Sequence, residues 1–221
     1  MKMKSILSLF FVAAMATGFT SCAQVSTQKK SDIPSEKDLS KYSKATFAAG
    51  CFWHEEALYD GIKGVVEAVS GYAGGTTDNP DYETVSTGNS GHAESVMVYY
   101  DSSKVTFPTL LKAYFNAQDP TSVNGQDPDY GTQYRSIAFY NNDAEKKQIE
   151  DYIRQLNASG NYDKPIAVQV VHLTKFWKAE EYHQEYVKKN PNSSYVKNVC
   201  IREVKHFQKQ FPELVKPGHF Y

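Results

Sequence analysis

Residues 50–57 read GCFWHEEA, and the residue in that run with chemistry of its own is Cys51. An apolar, strand-like stretch (44–50) precedes it, and Phe52, Glu55, Glu56, Leu58 and Tyr59 follow at helical spacing with acids in the first turn. A thiol in the first turn of a helix faces unpaired backbone N–H groups and the positive end of the helix dipole. Such placement favours the thiolate and can bring the pKa down from about 8.5 toward neutrality, which predicts a nucleophile. The competing reading is an inert cysteine among core rings, with Phe52 and Trp53 as ordinary core. Gly50 favours reactivity, since a residue without a Cβ lets another group approach the backbone closely. His92, His172 and His183 lack the spacing of a metal site, and no metal is expected. His183 reads as packing a helix against the sheet.

The elements that must position the thiol can be read from periodicity. Strands are expected at 44–50, 65–75, 94–101, 134–141 and 164–173, and helices at 51–61, 106–118, 143–160 and 178–190. The helix at 143–160 would start on an Asp cap and stop at Gly160. Between the second and third strands lies a turn-rich segment, 74–93. The order βαββαβ followed by αβα predicts an α+β protein. Its form would be a two-layer sandwich, a ferredoxin-like, mostly antiparallel sheet with helices packed on it.

The 221 residues, 41% of them hydrophobic, can bury one core. A formal net charge of -1 and no long basic cluster argue against a nucleic-acid partner. The chain opens Met-Lys-Met-Lys, followed by the apolar run SILSLFFVAAMATGF and then TSC. That order describes an export signal, and the run is short for a membrane helix. Because Ser21 directly precedes Cys22, the segment resembles a bacterial lipoprotein signal in which Cys22 becomes the acylated first residue. Phe19 is unusual in that setting, so cleavage by an ordinary signal peptidase is the alternative. The expected organisation is a signal over 1–21, a flexible tether over 22–43, a catalytic domain over 44–205 and a tail over 206–221. A tether of that length would hold the domain on the order of 25 Å from its anchor. The protein would then be exported and lipid-anchored in the cell envelope, touching the membrane only through that lipid.

GCFW after a strand, GYAGG, GHAESV, DPTSVNGQDPDYGTQYRS and AEEYHQEY occur in this order over about residues 44–195. Together they resemble the peptide methionine sulfoxide reductase A family, specific for the S-epimer of methionine sulfoxide. The resemblance implies that Cys51 attacks the sulfoxide sulfur and becomes a sulfenic acid. Glu94 would be the acid that protonates the departing oxygen, kept protonated by a poorly hydrated pocket. Tyr82 and Tyr134 would hold that oxygen through their hydroxyls, and Asp129 would orient the site. Phe52 and Trp53 would form the apolar pocket for the substrate methyl. The substrates implied are oxidised proteins or free methionine sulfoxide. No cofactor would be bound; the reductant would be an external thiol, either a thioredoxin-like protein or a small thiol. A monomer is expected.

The chain departs from the family at His54, where glycine is common, and at Gln118, where histidine is frequent. Many relatives carry a resolving cysteine just after a tyrosine near the C-terminus, but here Val196 follows Tyr195 and the late cysteine is Cys200. If its segment is helical, Cys200 shares a buried face with Val204 and Phe207. Cys200 is the candidate resolving residue; otherwise the external thiol attacks the sulfenic acid directly. Two readings outside the family are a cysteine hydrolase with a histidine base, and a non-enzymatic lipoprotein that binds ligands in an aromatic cleft.

Overall fold

A computed structural model describes residues 38–219. Cys22, the expected signal and most of the expected tether lie outside the described residues. Strands β1 (Ser43–Ala48), β2 (Val65–Ala73), β3 (Ala93–Tyr100), β6 (Ile137–Tyr140), β7 (Gln169–His172) and β8 (Phe176–Lys178) form one sheet in the order β7-β6-β1-β3-β2-β8. Only β6 and β7 pair in parallel. In the middle four, helix α1 (Phe52–Asp60) carries the chain from β1 to β2, and β3 returns between them antiparallel to both. That arrangement is the ferredoxin-like α+β core expected from the element order.

Strand alternation decides which face is thick. On β1, Ala45 and Phe47 point into the main core while Ala48 belongs to a smaller cluster on the other face with Ala73, Ala93, Ile137 and Phe139. Phe47 stacks on Tyr59 of α1 at 5.4 Å and on Tyr114 of α3 (Phe107–Asn116) at 4.9 Å, so both helices cover the same face. Truncating such a buried ring to Ala typically costs about 3–5 kcal/mol. Tyr114 also donates its hydroxyl hydrogen to the Ala48 carbonyl at 3.0 Å, tying α3 to the end of β1 three residues before Cys51.

The β1–α1 turn depends on Gly50. It takes φ +72°, and a Cβ there would lie 2.8 Å from Cβ of Gln126. Gln126 belongs to the small hairpin β4 (Gly125–Gln126) and β5 (Asp129–Tyr130), and the Gly50 N–H donates to the Tyr134 carbonyl at 3.1 Å. The glycine therefore lets the hairpin close over the thiol.

Several elements differ from the sequence expectation. The helix expected over 178–190 is mostly turns, with only α5 (Tyr186–Lys189) helical. Glu185 sits in the left-handed region at φ +53°, and the side chains before it bond to distant backbone. Lys178 instead ends β8, an edge strand missed in the sequence; the expected strand at 164–173 is confined to β7. Helix α4 (Asp143–Ala158) is capped by Asn142, not Asp143, through a 2.9 Å bond from the Glu145 N–H. A short helix, α2 (Tyr82–Ser86), interrupts the turn-rich segment. Near the C-terminus, a π-helical turn (Val196–Cys200) runs into α6 (Ile201–Gln210). The tail expected from residue 206 thus begins inside a helix, and Val215 bridges antiparallel to Ile62.

Glu55 is buried in α1 with neither carboxyl oxygen hydrogen-bonded among the described residues. Burial pushes its pKa from near 4.5 up to about 8. Folding thus favours the protonated acid. That stabilising contribution is complete below about pH 4.5 and is lost as pH rises through about 8. Neighbouring His54, held near 4 by burial, titrates in the opposite sense, so the diagnostic is a difference between variants. The stability advantage of Glu55→Gln over the wild type should grow between about pH 5 and pH 8 in thermal melts; a constant difference would refute the buried-acid assignment.

Candidate active site

The seven side chains singled out for catalysis and substrate binding lie on separate elements yet line one cavity of about 340 Å³. Cys51 is the N-cap of α1, Phe52 and Trp53 open that helix, and Tyr82 opens α2. Glu94 is on β3 and Asp129 on β5; Tyr134 closes the short 3-10 turn after the hairpin. Tyr186, Ser193 and Tyr195 complete the wall and were missed as site residues. The one available signal was Tyr195, which the sequence reading used only as a landmark for the second cysteine.

Glu94 is buried, and its Oε2 accepts the Phe52 N–H at 3.1 Å, which takes one of the helix's free amides. Burial pushes its pKa up to about 8, with the charge of Asp129 adding to the shift. Near neutral pH the carboxyl holds its proton. Burial likewise raises the Tyr82 hydroxyl to about 12 and lifts that of Tyr134, the charge of Glu94 reinforcing both. Both phenols are therefore neutral donors.

Cys51 departs from its expectation. Its thiol pKa lies well above the ordinary cysteine value, chiefly because it is buried, and secondarily through contact with Cys200 and the charge of Glu94. The nearby Trp53 N–H acts the other way, but burial outweighs it. The resting nucleophile is a neutral thiol and not the helix-stabilised thiolate predicted from its position.

Cys200, at the end of the π-helical turn, is fully buried with Val204 and Phe207, and its thiol contacts that of Cys51. Both are free thiols. The Tyr195 hydroxyl donates a short hydrogen bond to Oδ2 of Asp129 and also contacts Cys51. Asp129 is thereby tied to the nucleophile through a tyrosine.

Trp53 lies flat on Tyr186, with centroids 3.6 Å apart and planes 6° apart, and meets Tyr195 edge-on at 5.7 Å. Its indole N–H donates to Nδ1 of His183 at 3.0 Å. His183 lies in the turns before α5, so it joins the aromatic wall instead of packing a helix against the sheet. His92 accepts the Gly75 N–H and donates to the Thr77 carbonyl. Among the described residues, no three His, Cys, Asp or Glu side chains converge as metal ligands. The two departures, His54 and Gln118, line a neighbouring cavity of about 270 Å³ that shares Asp129 with the first.

Residues 43–215 match the family model described as peptide methionine sulfoxide reductase. The chain is 44% identical over 180 residues to peptide methionine sulfoxide reductase MsrA 2 of Mesorhizobium japonicum, covering 81% of this chain and 92% of that one. It is 42% identical over 171 residues to MsrA of Natronomonas pharaonis, covering 77% and 96%. The fold is similar to that of reduced Mxr1 from Saccharomyces cerevisiae, with a TM-score of 0.64 and 35% identity over 72% of this chain and 91% of that one. It is also similar to methionine sulfoxide reductase A of Corynebacterium diphtheriae, with a TM-score of 0.61 and 34% identity over 68% and 76%. The matched region takes in the sheet, the cavity and all seven side chains, and on these grounds the chain belongs to the peptide methionine sulfoxide reductase family.

Proposed function

We propose that the protein reduces the S-epimer of methionine sulfoxide, free or within oxidised proteins, to methionine, with Cys51 as the nucleophile. The observation that carries this reading is a single cavity holding a thiol, a protonated carboxyl and two neutral phenols beside an apolar wall. The Phe52 and Trp53 rings take the substrate methyl. The sulfoxide oxygen then lies toward Tyr82, Tyr134 and Glu94, and donors fixed before the reaction stabilise the charge that develops on it.

The Cys51 sulfur bonds to the sulfoxide sulfur while Glu94 gives its proton to the oxygen; the thiol proton returns to the Glu94 carboxylate. The hydroxyl then passes to the Cys51 sulfur and the bond between the two sulfurs breaks. In sum, thiol and sulfoxide become sulfenic acid and thioether: one oxygen has moved from substrate to enzyme carrying the proton that Glu94 gave, and the thiol proton has replaced it on Glu94. A neutral resting thiol suits this sequence, since its proton restores the Glu94 acid. Asp129, through Tyr195, holds the Cys51 side of the cavity.

Contact between the two thiols supports Cys200 as the resolving residue. Its sulfur attacks the Cys51 sulfenic acid, a disulfide forms and water leaves. An external dithiol, a thioredoxin-like protein or a small thiol, then takes over the disulfide and restores both cysteines. No bound cofactor enters the cycle. The amino-terminal sequence supports export and anchoring through an acylated Cys22, with 22–43 as the tether of a domain that acts as a monomer at the envelope.

With separated sulfoxide epimers and a dithiol, wild type should turn over only the S-epimer, and Cys51→Ser neither; equal use of both epimers would overturn the pocket assignment. In the same assay the rate should fall as pH rises through about 8, where Glu94 loses its proton. Glu94→Gln should abolish that limb and lower the rate about 10²-fold or more.

Single turnover without reductant should consume two thiols in wild type and leave a trappable sulfenic acid in Cys200→Ser. The same disulfide in the variant would exclude Cys200. Expressed with its full signal in a bacterial host, the protein should fractionate with envelope membranes, and Cys22→Ser should release it; an unchanged distribution would exclude the lipid anchor.

A further inference from the structure

Trp53 has two kinds of restraint. Stacking on Tyr186 fixes the plane of the indole, but a stacked ring can still slide or turn within that plane. What fixes rotation is a directional bond at one ring atom, and the indole N–H has one, to Nδ1 of His183 at 3.0 Å.

The acceptor is itself held from both sides. Glu180 accepts the Tyr82 N–H and the Tyr72 hydroxyl hydrogen, each at 2.8 Å. Gln184 accepts the Ser70 N–H at 3.1 Å and donates to the Ser70 and Ala179 carbonyls. Glu56 accepts the Glu185 N–H at 2.9 Å and the Ser70 hydroxyl hydrogen at 2.8 Å. The stretch 179–185 is thereby strapped to β2 and α1, with His183 between its anchors. Its ring is buried and packs against Phe52 at 4.9 Å and Tyr82 at 4.6 Å. Burial lowers its pKa below the ordinary histidine value, against the opposing pull of Glu180. A neutral ring that accepts at Nδ1 carries its hydrogen on Nε2, and the lone pair needed by Trp53 stays available.

We propose that His183 is a positioning residue for sulfoxide reduction: by accepting the indole N–H of Trp53 it fixes the wall that holds the substrate methyl. This deepens the reading of Trp53 as the methyl wall and rests on it. A cavity that sorts substrates by a single methyl needs that wall fixed more tightly than stacking alone achieves. The role differs from packing, because a residue of equal bulk without an acceptor cannot perform it.

The test compares His183→Leu, which keeps bulk and loses the acceptor, with His183→Asn, whose amide oxygen can stand near the Nδ1 position. The chain has two tryptophans, so indole N–H resonances report on Trp53 with Trp177 as internal control. In His183→Leu the Trp53 resonance should move upfield while that of Trp177 stays. For methyl sulfoxides kcat/KM should fall about tenfold, mostly through KM, as expected for one lost hydrogen bond. Preference for methyl over ethyl sulfoxides should relax. His183→Asn should recover most of both. An unmoved Trp53 resonance, an unchanged methyl preference, or His183→Asn as impaired as His183→Leu would overturn the proposal. Wild type inactive on every sulfoxide would instead overturn the functional reading and this inference together, even with the resonance shift intact.

Discussion

The Glu94 carboxyl accepts the Phe52 amide hydrogen, and the rest of the site depends on that 3.1 Å bond. It joins the middle of the sheet to the first turn of α1, so the acid, the thiol and the apolar wall move as one unit. Glu94 pairs with Tyr72 across the β2–β3 ladder, and Cys51 follows β1 through the Gly50 turn. Two adjacent antiparallel strands, β1 and β3, thus deliver the thiol and the carboxyl from opposite directions.

Burial, not the helix terminus, sets the protonation of this site. A helix end favours a negative charge by roughly 0.3–1 kcal/mol at an exposed position, whereas a single pKa unit is already about 1.4 kcal/mol. Taking Glu94 out of water lifts its pKa from near 4.5 to about 8, more than the dipole can restore, and burial pushes the Cys51 thiol in the same direction. The Phe52 amide, one of the free N–H groups of the helix terminus, is given to Glu94 and not to the sulfur. The like-charge logic agrees: an anionic thiolate beside an anionic carboxylate would be disfavoured, and the site instead keeps both groups neutral with a proton on each.

Much of the fold was legible because the buried faces follow a local period. Phe47 and Ala45 alternate as a strand should, and Leu110, Leu111 and Tyr114 repeat as a helix should. The stretch 179–185 was misread for a specific reason. Glu180, His183 and Gln184 have the spacing of a helix face, yet each side chain bonds to a partner at least a hundred residues away or nearly so, in Tyr82, Trp53 and Ser70. Local patterns carry no trace of such partners. The same limit hid Tyr186 and Ser193, while Cys51 could be found as a nucleophile but not as a neutral one, because degree of burial is a property of the assembled core.

The π-helical turn before α6 explains how one short segment brings two groups to the same sulfur. Tyr195 and Cys200 are five residues apart. On a regular α-helix that separation rotates the second side chain by about 140° from the first, so they would face different neighbours. A turn closed by i→i+5 bonds brings residues five apart back onto one face. Here the Tyr195 hydroxyl and the Cys200 thiol both reach Cys51, while Val204 and Phe207 continue from Cys200 into the core at α-helical spacing. The backbone widens to a π-turn over Val196–Cys200, which suits a target shared by Tyr195 and Cys200.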